Sequence, residues 1–169
     1  MNRNFPTTRL RRNRKSLFSR KLVSENKLAI EDLIYPIFVI EGKNQKVAVK
    51  SMPNIDRLSV DNAIKVAIEA HKLGIPAIAL FPNIESSLRS ADGIEATNPN
   101  GLIPSAIKAI KKEVPELGII TDAALDPYTT HGQDGLLDSN GYVVNDATVA
   151  VLCDQSQVCA EAGTDIIAP

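Results

Sequence analysis

Tryptophan is absent from this chain, and three tyrosines and four phenylalanines are its only aromatic residues. A surface that binds nucleic acid by base stacking wants more rings than this. No stretch approaches the roughly 20 apolar residues that a helix needs to cross a bilayer. The N-terminus carries no apolar signal core, so no membrane partner is expected. Cysteine is scarce as well: Cys153 and Cys159 stand six apart on a predicted helix, on different faces and without a metal-ligand spacing. Two buried thiols in a reducing compartment are expected, with the cytoplasm as the default location. A Gly-rich strand-to-helix turn of the phosphate-binding kind is missing, and so are low-complexity segments and any repeat beyond a β/α alternation.

What is present suffices for one core: 169 residues, 44% apolar, with the composition of an ordinary globular protein. The net charge of −1 conceals a division, because residues 1–27 hold nine Lys/Arg against one acid, Glu25. The remainder holds ten Lys/Arg against nineteen acids. A basic arm, residues 1–24, thus precedes an acidic body, residues 25–169. Such an arm can bind nucleic acid or dock on an acidic neighbouring subunit. Phe5 and Phe18 are its only rings, which favours the subunit. With so few apolar residues the arm cannot build a core, and it is expected to order only against another chain.

Beyond the arm, apolar runs alternate with helical periods. Leu33 to Ile40 reads as a buried strand, rich in β-branched and aromatic residues. Val60, Ile64, Ala67 and Ile68 recur at helical spacing, with Ser59 as a cap and Gly74 and Pro76 as the stop. Ala77 to Phe81 is a second strand. Ile103, Ile107, Ile110 and Val114 mark a second helix closed by Pro115, and Gly118 to Leu125 a third strand. Asn145 caps a third helix through Val149, Leu152, Cys153 and Ala160, and Asp165 to Ala168 is a fourth strand. Asn140-Gly141, between Leu136-Leu137 and Tyr142-Val143-Val144, signals a hairpin. Strands without alternation, separated by helices, imply a parallel sheet covered on both faces. Both a doubly wound sheet and part of a (β/α)8 barrel fit.

The segment Thr121 to Gly135, TDAALDPYTTHGQDG, places Asp122, Asp126, His131 and Asp134 in one short loop after the apolar run Leu117 to Ile120. A carboxylate at the end of a buried strand is costly unless paired, and strand ends are where α/β folds build active sites. The same residues also fit a capped turn, with Asp126-Pro127 starting the bend and Gly132 and Gly135 supplying positive φ. His131, alone in a Gly-flanked loop, reads as a hydrogen-bonding strut, and His71 as a solvated helix residue.

This loop, together with RLRRNRKSLFSRK (Arg9 to Lys21), DLIYPIFVIEG (Asp32 to Gly42), SMPNIDRLS (Ser51 to Ser59), LGIPAIALFP (Leu73 to Pro82), GYVVND (Gly141 to Asp146) and AGTDIIAP (Ala162 to Pro169), resembles the porphobilinogen synthase (5-aminolevulinate dehydratase) family. The resemblance spans essentially the whole chain and matches the N-terminal half of the family's usual length. It implies an α/β protein, a (β/α)8 TIM barrel, to which the chain contributes an arm and about the first four strands. It implies a lyase that condenses two 5-aminolevulinate molecules to porphobilinogen in haem biosynthesis, and a homo-octamer held by the N-terminal arms.

The resemblance assigns Asp122 to the family's active-site aspartate, which assists proton transfers. Many members bind zinc through three cysteines of this loop; here those positions read Ala124, Asp126 and Asp134. Thiolates suit zinc and carboxylates suit hard cations, so no zinc is expected. Asp126 and Asp134 remain candidates for magnesium or a monovalent cation, or for pairing with basic groups. The family's reaction runs through Schiff bases on two lysines. None of Lys15, Lys21, Lys27, Lys43, Lys46, Lys50, Lys65, Lys72, Lys108, Lys111 and Lys112 is expected to end a strand, so the 169 residues alone are expected to be inactive. On the strand pattern alone, a Schiff-base aldolase or another barrel enzyme also fits, and the arm alone would suit a nucleic-acid-binding fragment.

Overall fold

The computed structural model describes residues 4–8 and 11–169; Arg9 of the basic run lies outside them. The chain divides into two compact units, residues 1–32 and 33–169. In the first, helix α1 (Leu17–Leu22) follows a short turn at Arg12–Arg14, and a second turn spans Ile30–Asp32. The Ser19 hydroxyl donates to the Asn13 carbonyl at 2.6 Å and Arg20 Nη1 to that of Arg14 at 2.9 Å. None of these three elements buries a residue, and Leu17, Phe18, Leu22, Val23 and Leu28 are all exposed.

The second unit is built on a six-stranded sheet: β1 (Ile34–Ile40), β2 (Lys46–Ala48), β3 (Asp56–Ser59), β4 (Ala77–Pro82), β5 (Gly118–Asp122) and β6 (Ile166–Ala168). Their spatial order is β2-β3-β1-β4-β5-β6, parallel throughout except between β2 and β3. The short hairpin β2-β3 is an addition to the four expected strands. Lys46, expected in a polar loop, opens β2 and pairs with Asp56 across it at 3.2 Å. With three or four residues per strand, the hairpin is too short for a strand-period pattern to stand out.

Helices α2 (Val60–Lys72), α3 (Leu102–Glu113) and α4 (Asn145–Ala162) connect β3 to β4, β4 to β5 and β5 to β6. Because β1, β4, β5 and β6 are neighbours in chain order, right-handed crossovers put α2, α3 and α4 on the same face. β3 lies on the far side of β1, but no helix joins β1 to β3, so the second face gains none of the helices that a doubly wound sheet carries there; the winding of β1, β4, β5 and β6 is that of a partial TIM barrel. Burial follows: Ile37, Val39, Ile78, Leu80, Ile119 and Thr121 are buried, in a core with Ala63 and Ala67 of α2 and Ile103, Ile107 and Ile110 of α3. The alternate positions Phe38, Ile40, Ala79, Phe81 and Ile120 are only partly buried. The expected covering of both faces is therefore corrected to one covered face and one open, concave face.

Other local differences have simple causes. β5 ends at Asp122 rather than Leu125, since the acidic loop leaves the sheet there. Ser59 occupies the position before α2, but its hydroxyl bonds Asp61 Oδ1 at 2.6 Å and accepts from Gln45 N at 2.8 Å instead of capping the helix. Asn145 is the first residue of α4, with Val144 before it. The hairpin at Gly141 reduces to one bridge, Leu137 with Val143. Cys159 is buried but Cys153 is exposed. The inward face of α4 runs through Thr148, Gln155, Cys159 and Ala162, and Cys153, two residues from Gln155, turns away from it.

Candidate functional site

Asp122 is the last residue of β5. Strand register decides where its carboxylate points. Phe38 pairs with Phe81, Leu80 pairs with Thr121, and Asp122 pairs with Ala168. One step beyond the Leu80–Thr121 pair, Asp122 joins the row of Phe38 and Phe81 on the open face, where the two rings stand 5.9 Å apart. Thr121, on the other parity, is buried among the helices. The C-terminal strand end and the concave face thus coincide at this carboxylate, the position where barrels assemble catalytic groups.

The loop that follows is tightly held. The Leu125 N–H donates to Asp134 Oδ1 at 2.6 Å, closing the acidic loop on itself. A second set of bonds joins it to the loop after β4: Ser90 N–H to the Tyr128 carbonyl at 3.2 Å and Thr130 N–H to the Ser90 carbonyl at 3.1 Å. His131 completes the seam. Its Nδ1 accepts from Gln133 N–H at 3.2 Å, so Nε2 carries the proton and donates to the Ala91 carbonyl at 3.1 Å. It is the strut expected from its Gly-flanked position.

Three carboxylates interact here. Desolvation raises the pKa of Asp122, and the charges of Asp126 and then Asp134 raise it further. Asp126 is raised by desolvation and by Asp134, with a backbone hydrogen bond and then Arg89 opposing. Arg89 is held by Nε and Nη2 bonds to the Ile84 carbonyl, at 3.1 and 3.0 Å. At the same end of the sheet, Ile40, Glu41, Gly42, Gln45, Asn83 and Glu85 line a cleft of about 400 Å³. Burial, then Glu85 and Glu95, push Glu41 up as well. The strand ends thus carry a concentrated negative charge.

Asp126 and Asp134 offer two hard donors, one of whose oxygens already accepts from the Leu125 N–H. Among the described residues no three His, Cys, Asp or Glu side chains converge as a metal cage. The donor set does not fit zinc, and a hard cation would need ligands beyond these two. Among the described residues no lysine ends a parallel strand: Lys65 and Lys72 belong to α2, and Lys108, Lys111 and Lys112 to α3. Lys111 is engaged at 2.6 Å with Asp165.

Sequence reasoning missed Tyr128, Gln155 and Arg89. Tyr128 is buried; desolvation drives its phenol far above the ordinary range, Cys159 adds to this, and the Gln155 amide opposes it. Tyr128 is in the loop itself and could have been flagged there. Gln155 had no signal, since it lies some thirty positions away on a helix.

The family model of delta-aminolevulinic acid dehydratase matches residues 7–169. The chain is similar to the delta-aminolevulinic acid dehydratase of Bradyrhizobium diazoefficiens, 55% identical over 161 residues, covering 95% of this chain and 45% of that protein. That of Chlamydia pneumoniae is 42% identical over 161 residues, covering 95% and 48%. The crystal structure of the Toxoplasma gondii enzyme superposes with a TM-score of 0.88 at 43% identity, covering 95% of this chain and 46% of that one. The chain spans about half the length of the relatives it matches. On sequence and fold together, it belongs to the delta-aminolevulinic acid dehydratase family.

Proposed function

We propose that a full-length enzyme containing this segment condenses two 5-aminolevulinate molecules to porphobilinogen, and that Asp122 assists the proton transfers at the bound substrate. One observation carries the reading: Asp122 ends β5 on the concave face, beside Phe38 and Phe81. The Toxoplasma gondii relative was crystallised with the reaction product porphobilinogen, which supports the reaction class. A carboxyl whose pKa is raised towards neutrality transfers protons more readily in both directions. The negative strand ends suit the ammonium group of an amino-ketone substrate. The Schiff-base amines are supplied from outside these 169 residues, whose own lysines lie on helices, in loops or in β2.

In the full-length enzyme, Asp122→Asn is expected to lower kcat by about 10²–10⁴-fold with folding preserved; near-normal turnover in a folded variant would remove Asp122 from the chemistry. Asp126→Asn deletes a charge that raises the Asp122 pKa. The acid limb of the pH–rate profile should therefore move to lower pH, and a shift upward would contradict the electrostatic account.

Zinc is not a cofactor in this proposal, because Ala124, Asp126 and Asp134 offer no thiolate. Activity should survive a zinc chelator, and a stoichiometric zinc signal with Asp126 and Asp134 as ligands would refute this. Magnesium or a monovalent cation remains the proposed class of ion.

The arm is proposed to hold a cytoplasmic homo-octamer together, and the exposed Leu17, Phe18 and Leu22 beside its basic residues support a protein partner over a nucleic acid. Deleting residues 1–24 should yield smaller assemblies by light scattering; an unchanged oligomer would count against it.

A further inference from the structure

Three consecutive residues after Asp122 are tied down from three directions. The Ala123 N–H donates to the Ala168 carbonyl of β6 at 3.0 Å. The Leu125 N–H donates to Asp134 at 2.6 Å. Between them, the Ala124 carbonyl accepts from Nε2 of Gln155, on the inward face of α4, at 3.1 Å. This is the tether that links the loop to a helix, and it sits midway between Asp122 and Asp126.

Gln155 is an unexpected residue in that place. Its side chain is 2% exposed, and its Oε1 has no hydrogen-bond partner among the described residues. A half-satisfied amide is costly in a core where a leucine of similar size would pack without a polar penalty. Reversing the amide would set its oxygen against the Ala124 carbonyl, so the donor is fixed where it stands. The amide also acts on the buried Tyr128 phenol, which in turn feels the Asp122 charge.

We infer that Gln155 is a positioning residue for Asp122, holding the Ala124 carbonyl so that the carboxylate stays fixed on the concave face. It touches no reacting atom. The inference rests on the proposed role of Asp122 and adds to it the helix residue through which α4 sets the geometry of the loop.

The test is Gln155→Leu in the full-length enzyme, alone and combined with Asp122→Asn. A misplacement of about 1 Å costs on the order of 10²-fold in rate. Gln155→Leu should therefore lower kcat by about 10-fold or more. KM should stay within about 2-fold, since only orientation in the transition state is lost. The Tm should change little, because the substitution removes one unpaired acceptor, Gln155 Oε1, and leaves another, the Ala124 carbonyl. In the Asp122→Asn background the same substitution should add less than about 2-fold, since coupled sites are non-additive. A normal kcat in Gln155→Leu, a fall in kcat matched by a fall in Tm, or full additivity with Asp122→Asn would each overturn the inference. Normal activity of Asp122→Asn itself would overturn the role of Asp122 first, so the two failures are distinguishable.

Discussion

The parallel register of β4, β5 and β6 decides where Asp122 points. A slip of one residue would exchange the two faces of β5, turning Asp122 into the core, where Thr121 now sits beside Thr164 and Cys159, and bringing Thr121 to the concave side. Burying an unpaired carboxylate among those side chains would be prohibitive, so the register that protects the core also presents the acid. Several bonds secure it. Asp165 receives the Ile119 N–H at 2.7 Å and Lys111 Nζ at 2.6 Å, and the Asp165 N–H donates to the Ile119 carbonyl at 2.9 Å. Burial alone would raise the Asp165 pKa, but these partners outweigh it and hold it below the ordinary value. Since a lowered carboxylate pKa contributes stability above the unfolded value, this clamp is present at neutral pH and lost only as pH falls below the usual Asp range.

Around that fixed point the acidic loop works as a charged device on a rigid mount. Asp122, Asp126 and Asp134 repel one another, and this is opposed at Asp126 by a backbone hydrogen bond and by Arg89. The seam through Ser90, Thr130 and His131 and the closure of Leu125 on Asp134 absorb the cost. Concentrated like charge of this kind is characteristic of functional sites, where carboxyl pKa values are displaced for a purpose.

Much of the fold was legible in the residues. The apolar runs at 33–40, 77–81 and 118–125 had the composition of strands, the last overrunning β5 by three residues, and Ile103, Ile107 and Ile110 recurred at a helical period strong enough to place α3 within a residue or two. The position of Asp122 near a strand end followed from the same pattern. What was not legible depends on tertiary pairing. β2 and β3 exist because Ser59 and Asp61 bind back to Asn44 and Gln45, a contact no local period announces. The exposure of Cys153 hinged on which stripe of α4 faces inward, and that stripe is marked by Thr148 and Gln155 rather than by apolar residues. Gln155 itself could be found only once α4 was seen to pack against the Ala124 carbonyl.

The measurement closest to the central claim is a crystal structure of a full-length enzyme carrying this segment, with porphobilinogen bound. The account predicts the product on the concave face, with a polar atom within hydrogen-bond distance of the Asp122 carboxylate and its ring beside Phe38 and Phe81. Product bound elsewhere, with Asp122 contacting only protein groups, would contradict it.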